Sequence, residues 1–466
     1  MLNDDVLLEI FDFYLDEDIY EPLAPFEIIH WITLAHVCRR WRSVIFQSPH
    51  RLNLQLLCTP ETPARDTLDI WPPLPLVILD HGEFRDNQSR VDNILAALEH
   101  NDRVCKIHLR VERYSGSELE CFTNSAAMQR PFPELTHLRL GMYGDGREPI
   151  LPDSFLGGTA LCLRSLAFSH VSFPGLPKLL LSAPHLVHLY LFDIPGSGYI
   201  RPEAMATSFS ALTSLDSLCL QFRISQIRLD SESRRPPLPP LTRPILPSLT
   251  KIEFEGTSDY LEGILAGIDA PRLIDLHITF FNQFIFDTSQ LFRFISGIPT
   301  LMASEKCHIS LYYQVTLRFS SQTCDHDRVL QVTFPYSWTG WRLSSLEQMC
   351  SPSFPPVSTS KNLYIFHDLY NPQYWLRDDE NPQWLDLLRS FVAVKNLYLS
   401  DVIVRHIAPA LQELVGGRTT EVLPALENIF LWGFQASGPL HEGIKKFVAA
   451  RQLVNRAVSV SRWDSE

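Results

Sequence analysis

A chain of 466 residues that is 45% hydrophobic and 20% charged has the composition of an ordered globular protein able to bury large cores. Its formal net charge of -13 and isoelectric point near 5.7 exclude a globally basic chain of the kind that grips a nucleic-acid backbone. The acidic start has no basic leader pattern and no apolar run approaches bilayer length, so the expected compartment is cytosol or nucleus, with no membrane partner.

Residues 2–15 come first. Asp4 and Asp5 stand where a helix start favours carboxylates, and Val6, Leu7, Ile10, Phe11, Tyr14 and Leu15 recur at helical spacing on one broad stripe. Pro22 and Pro25 close a loop over residues 16–24. Phe26, Ile29, Trp31, Leu34, Val37, Trp41, Val44, Ile45 and Phe46 then form a second helical pattern, broken once near Cys38. These short helices carry more apolar residues than they can bury among themselves, which marks a docking surface for another protein or for the rest of the chain.

Leu2, Asp4, Asp5, Val6, Leu7, Ile10 and Phe11, followed by Val37-Cys38-Arg39-Arg40-Trp41, resemble an F-box. The resemblance implies docking onto the Skp-family adaptor of a cullin ubiquitin ligase, with Leu2, Leu7, Ile10, Phe11, Val37, Cys38 and Trp41 as the adaptor-binding residues. One departure is Leu2-Asn3, where the family opens Leu-Pro.

Beyond residue 50, Leu52, Leu54 and Leu56 alternate with polar residues as in a strand, residues 76–79 form a second short apolar run, and residues 91–99 read as helix. A repeat follows: Leu135-x-x-Leu138-x-Leu140, Leu163-x-x-Leu166-x-Phe168, Leu186-x-x-Leu189-x-Leu191, Leu215-x-x-Leu218-x-Leu220, Leu249-x-x-Ile252-x-Phe254 and Leu273-x-x-Leu276-x-Ile278. Its spacing falls within or just beyond that of leucine-rich repeats, whose strand-and-helix units are covered only when neighbours stack. Pro133, Pro184, Pro247 and Pro271 each precede the first Leu by two residues, ending the preceding helix and handing an extended conformation to the strand. Helical pieces such as residues 176–182 and 261–266 lie between. Eight residues after each first Leu, where an Asn commonly forms a ladder, stand Tyr143, Val171, Ile194, Arg223, Thr257 and Phe281, so the repeats are expected to be irregular.

Residues 230–247 contain Arg234-Arg235-Pro236-Pro237-Leu238-Pro239-Pro240 and read as a surface insertion. Over residues 301–359 the register is lost, although residues 308–319 and 329–334 look like strands, either of irregular repeats or of a small antiparallel insert. The pattern resumes at residues 363–366, at Val394-x-x-Leu397-x-Leu399 and at Leu426-x-x-Ile429-x-Leu431. A last helix over 440–453 with residues 458–463 is expected to cap the open end. This C-terminal region, including residues 393–399 and 447–451, resembles large fungal F-box families.

Catalytic patterns are weak. Ser358-Thr359-Ser360-Lys361 matches a Ser-x-x-Lys string but lies in a Pro/Ser loop without companion motifs, and Cys324-Asp325-His326-Asp327 is too tightly packed in sequence to wrap one metal ion. Nine cysteines, an odd number with no C-x-x-C pair, read as reduced and mostly buried thiols with no structural disulfide. No catalytic residue, metal or cofactor is expected.

If the Leu row points inward, alternation turns Lys106, His108, His137, Arg139, His188, Tyr190, Phe192, Lys251, Glu253, Glu255, Asn396, Tyr398, Asn428, Phe430 and Trp432 to the other face. Of these, Tyr190, Phe192, Tyr398, Phe430 and Trp432 are the expected substrate-binding residues, because Tyr and Trp concentrate in interface hot spots. The expectation is an α/β protein: an N-terminal helical F-box over 1–50, then an irregular leucine-rich-repeat solenoid over 51–466 with a C-terminal helical cap. It would act as the substrate-recognition adaptor of a cullin ubiquitin ligase and hold a protein substrate for modification by other subunits. The rival expectation is a leucine-rich-repeat interaction scaffold outside a ligase; a hydrolase would need a nucleophile beside a base, which the sequence does not reveal.

Overall fold

The structure is a computed structural model that describes residues 2–15, 31–49, 51–52, 54–70, 73–80, 88–111, 116–142, 148–223, 243–281, 288–302, 304–311, 314–321, 328–335, 343–351, 354–367, 381–414, 416–432 and 441–463. The expected loop over 16–24, most of the proline-rich stretch and the Cys324-Asp325-His326-Asp327 string lie outside the described residues. The chain forms two compact units, Met1–Leu229 and Asp230–Glu466.

The first unit opens with three helices, α1 (Asp4–Leu15), α2 (Trp31–Val37) and α3 (Arg39–Gln47). Its strands are β1 (Leu56–Cys58), β2 (Leu76–Asp80), β3 (Val104–Val111), β4 (His137–Met142), β5 (Ser165–Ser169), β6 (His188–Ile194) and β7 (Ser217–Phe222). Helices α4 (Ala64–Thr67), α5 (Gln88–Glu99), α6 (Gly116–Asn124), α7 (Leu176–Leu181) and α8 (Pro202–Ser208) lie in the connections. All seven strands are parallel and pair in chain order. That order, each strand beside its sequence neighbour, is what stacked strand-and-helix repeats produce.

Register explains why the Leu motif repeats. Ile107, Leu138, Leu166, Leu189 and Leu218 are successive partners across β3 to β7, and all are buried. The turn before each strand is equally regular. Leu135, Leu186, Leu249, Leu273 and Leu426 each donate their N–H to the carbonyl three residues back, which places Pro133, Pro184, Pro247, Pro271 and Pro424 at the second turn position. Proline's fixed φ suits that position, so these prolines build the turn that feeds the strand.

The second unit contains β8 (Lys251–Gly256), α9 (Ser258–Ala266), β9 (Asp275–Phe280), α10 (Ser289–Ser296), α11 (Pro299–Met302), β10 (Lys306–Leu311), β11 (Gln314–Ser321) and β12 (Arg328–Pro335). It continues with α12 (Leu343–Met349), α13 (Pro355–Thr359), β13 (Asn362–His367), α14 (Asn381–Arg389), β14 (Asn396–Ser400), α15 (Asp401–Gln412), β15 (Asn428–Trp432), α16 (His441–Leu453) and β16 (Ser459–Trp463). The strand order is β8, β9, β12, β11, β10, β13, β14, β15, β16. The segment that loses the repeat pattern is therefore an antiparallel insert: β10, β11 and β12 form a meander in which only β11 runs against the other strands. Short connections permit antiparallel pairing, whereas parallel neighbours need a crossover.

Side chains tie successive repeats together. The Glu262 carboxylate on α9 accepts from the N–H groups of Gln290 (2.6 Å) and Leu291 (2.8 Å), satisfying orphan donors at the start of α10. Gly443 sits where α16 crosses α15; a Cβ there would lie 2.6 Å from the Ala408 carbonyl oxygen, which only glycine avoids. The expected last helix is α16, with Ile444 and Phe447 buried, and β16 follows, paired in parallel with β15. No helix among the described residues is long and apolar enough to cross a membrane.

Candidate interaction surfaces

The N-terminal helices are locked by specific caps. The Asn3 carbonyl accepts from Leu7 N–H at 3.1 Å and its side chain from Asp4 N–H at 2.7 Å at the start of α1, and Cys38, in extended conformation, caps α3 by accepting from Trp41 N–H at 3.4 Å. Cys38 is the break expected in the second helical pattern. Arg40 reaches from α3 to Asp4 at 2.6 Å, Arg42 donates to the Ala35 carbonyl at 3.0 Å, and Trp31 Nε1 donates to Gln55 O at 2.7 Å.

These contacts divide the broad stripe of α1 into two faces. Leu7, Leu8 and Phe11 are buried with Trp31, Leu34, Ala35, Val44 and Ile45, and the Phe11 ring meets Trp41 edge-on at 4.8 Å. Leu7 and Phe11, expected as adaptor contacts, are therefore core residues of the bundle and present no surface to a partner. Trp41 is half-buried against them. Leu2, Ile10, Val37 and Cys38 are exposed as expected. Two residues the sequence-based site omitted join them: Val6, and Phe13, which is 86% exposed. The signal was the spacing Leu2, Val6, Ile10, Phe13, one face of a helix at steps of four, four and three.

On the first unit's sheet, Tyr190 and Phe192 project half-buried from the face opposite the Leu row, their rings parallel at 5.9 Å, and His188 stacks on Tyr190 at 6.0 Å. His108, expected on this face as a surface residue, is 3% exposed and belongs to the interior of the row. Burial pushes the His137 imidazole down to about 4, helped by the nearby Lys106 charge, and lowers His188 as well. Both imidazoles are neutral at physiological pH.

The second unit carries a longer array. In-register pairing places His308, Tyr364, Tyr398 and Phe430 beside one another on four neighbouring parallel strands. Their rings stack at 4.3, 4.1 and 4.6 Å, close to the spacing of strands in a sheet. Desolvation holds His308 down at about 4 and pushes the Tyr364 hydroxyl up to about 12. Two residues earlier on the same face runs an amide ladder: Asn428 donates to Asn396, and Asn396 to Asn362, each at 2.8 Å. Ser459 closes it, donating to Asn428 at 2.6 Å.

Sequence reasoning placed Tyr398, Phe430 and Trp432 on this face but missed the amide ladder and its partners Tyr364 and His308. The recurring strings Asn362-Leu363-Tyr364, Asn396-Leu397-Tyr398 and Asn428-Ile429-Phe430 carry that signal. It also missed Trp463, which packs on Tyr398 (5.3 Å), Phe366 (5.4 Å) and Tyr364 (5.9 Å). Trp432 is half-buried and faces Trp463 in the register of β15 and β16.

No family model matches the sequence, and no curated protein matches it. Among solved structures the chain is similar to the leucine-rich repeat-containing protein LegL7 from Legionella pneumophila, at 15% identity over 84% of this chain and 97% of that one, with a TM-score of 0.27. That score is too low to establish a common fold; the repeat architecture described above follows from the register of this chain's own strands.

Proposed function

We propose that this chain is a protein-binding receptor whose N-terminal helices dock on the Skp-family adaptor of a cullin ubiquitin ligase while the sheet face opposite the Leu rows holds a protein substrate. The observation that supports docking is the stripe of Leu2, just before α1, and Val6, Ile10 and Phe13 on α1, with Val37 at the end of α2, all apolar and all at least 44% exposed. Five such side chains on helices whose own core is already filled form an apolar surface of the kind that partners cover. In this reading no residue of the chain performs chemistry; the receptor contributes proximity. The net charge of -13 favours protein over nucleic-acid partners.

A second reading, an interaction scaffold acting outside a ligase, is favoured by the aromatic rows alone, since they need no adaptor. Affinity purification of the full chain separates the two. An Ile10→Asp/Phe13→Asp double variant alters only exposed positions, so it is expected to melt like the parent yet lose adaptor and cullin peptides. If the parent chain brings down no adaptor, or the variant retains it at equal yield, the scaffold reading stands and the ligase reading falls.

A further inference from the structure

Strand β16 is built unlike its neighbours. Ile429, Leu397 and Leu363 are fully buried at one register position of β15, β14 and β13, whereas Val460, the β16 residue at that position, is 46% exposed. Ser459, Ser461 and Arg462 are exposed as well. Among the contacts that hold the strand are its backbone pairing to β15, the Ser459 hydroxyl on Asn428 and the Trp463 ring, with Val458 buried just before the strand. That ring does not stay over its own strand. Its contacts with Tyr398 and with Tyr364 and Phe366 carry it across the aromatic ladder to β14 and β13. An element with so little buried apolar area opens at low free-energy cost.

We propose that the edge of β15 together with the ring site of Tyr364, Phe366 and Tyr398 is a docking surface for an extended peptide strand carrying an indole, and that Ser459–Trp463 is this chain's own exchangeable occupant. The proposal deepens the reading of the sheet face as a partner-binding surface and names the partner's chemistry. The strand pairs in parallel with β15. A small hydroxyl or amide residue meets Asn428, a small residue lies opposite Phe430, and a tryptophan two positions later enters the ring site. Backbone hydrogen bonds supply affinity and the indole supplies specificity, as in other recognition by strand addition.

The test uses a fluorescent hexapeptide with the sequence of residues 458–463, Val-Ser-Val-Ser-Arg-Trp, titrated into the full chain by anisotropy. In the parent the tethered strand competes at high effective concentration, so the Trp463→Ala full chain is expected to bind the peptide about ten-fold more tightly or better. Adding Tyr398→Ala is expected to remove the gain, and a peptide ending in Ala is expected not to bind. Equal affinity for parent and variant, or equal binding of the Ala-ended peptide, overturns the proposal. Hydrogen exchange on the parent chain is a second, variant-free measurement: the amides of β16 are expected to exchange about 100-fold faster than those of β14. Equal protection marks β16 as fixed structure and overturns the proposal. If the parent self-associates and Trp463→Ala abolishes this, the occupant is a second copy and the peptide receptor is overturned. Absence of an adaptor from purifications sinks the ligase reading while leaving the titration standing, so the two failures are distinguishable.

Discussion

Arg451, fully buried on α16, donates through Nη2 to the carbonyl of Leu423 at 3.4 Å, a residue held in the left-handed region at φ 48°. The same guanidinium reaches Leu426 O at 3.2 Å and Thr419 O at 3.1 Å, so one side chain bonds three carbonyls of the loop that feeds β15, that of Leu423 alongside the Leu426 N–H. Burial lowers its pKa, and only a planar fork of several N–H donors fits three diverging acceptors. Arg451→Met is expected to destabilise the chain by about 3 kcal/mol, and Arg451→Lys to recover little of it, read from denaturant midpoints. A midpoint unchanged in the Met variant would show that these carbonyls have other partners.

Leu189 and Tyr190 are chain neighbours on opposite faces of β6. Leu189 is fully buried, between Leu166 and Leu218, and Leu189→Ala is expected to cost about 2 to 5 kcal/mol. Tyr190 stacks half-exposed between His188 and Phe192, so Tyr190→Ala is expected to cost about 1 kcal/mol. Paired thermal melts check the difference; equal losses would mean that the two faces of β6 are equally buried.

Stability is expected to fall on mild acidification because burial lowers several imidazoles, His137 and His308 furthest and His188 and His277 in the same direction. His137 and His308 have ordinary imidazole values of 6.5 in the unfolded chain but are held near 4 in the fold, by burial first and then by neighbouring cations. Between those values the unfolded chain binds protons that the native chain refuses, so stability is fully present above about pH 6.5 and is lost as pH falls toward 4. His137→Gln and His308→Gln are expected to flatten that part of the curve. Urea midpoints from neutral to mildly acidic pH, parent against variants, measure it; parallel curves would remove these two residues as the cause.

Thiol reactivity is expected to divide the cysteines by position. Cys38, Cys121 and Cys162 are exposed, while Cys58, Cys105, Cys219, Cys307 and Cys350 are buried. Desolvation raises Cys58 and Cys105 to about 11 and pushes Cys307 and Cys350 up as well, so their reactive thiolate is scarce as well as inaccessible. Mass spectrometry after native alkylation is expected to find label on the exposed three and, among the described cysteines, to find it on the other five only after unfolding. Rapid native labelling of Cys307 would contradict the packing of β10.

The sequence by itself determined where the strands of the Leu motif begin, because that is local; it did not place the first strand, which is Leu56–Cys58 and not residues 52–56, nor the break that divides the single strand expected over 308–319 into Lys306–Leu311 and Gln314–Ser321. A Leu or Ile every second position selects a face, and a proline two residues before the motif shapes the turn that launches the strand. It also determined that α2 and α3 are separate helices, since the Cys38 cap lies within a few residues of both. Tertiary structure alone decided the rest. Val6 and Leu7 are equally apolar neighbours, yet contact with α3 buries one and leaves the other exposed. The lost repeat register over residues 301–359 fitted either further repeats or a meander, and strand pairing chose the meander. Tyr364, Tyr398 and Phe430 form a stack, and Trp463 lies across it, because parallel strands bring residues about thirty positions apart to one interstrand spacing. Such proximity depends on register between distant segments, which hydrophobic periodicity along one segment does not encode.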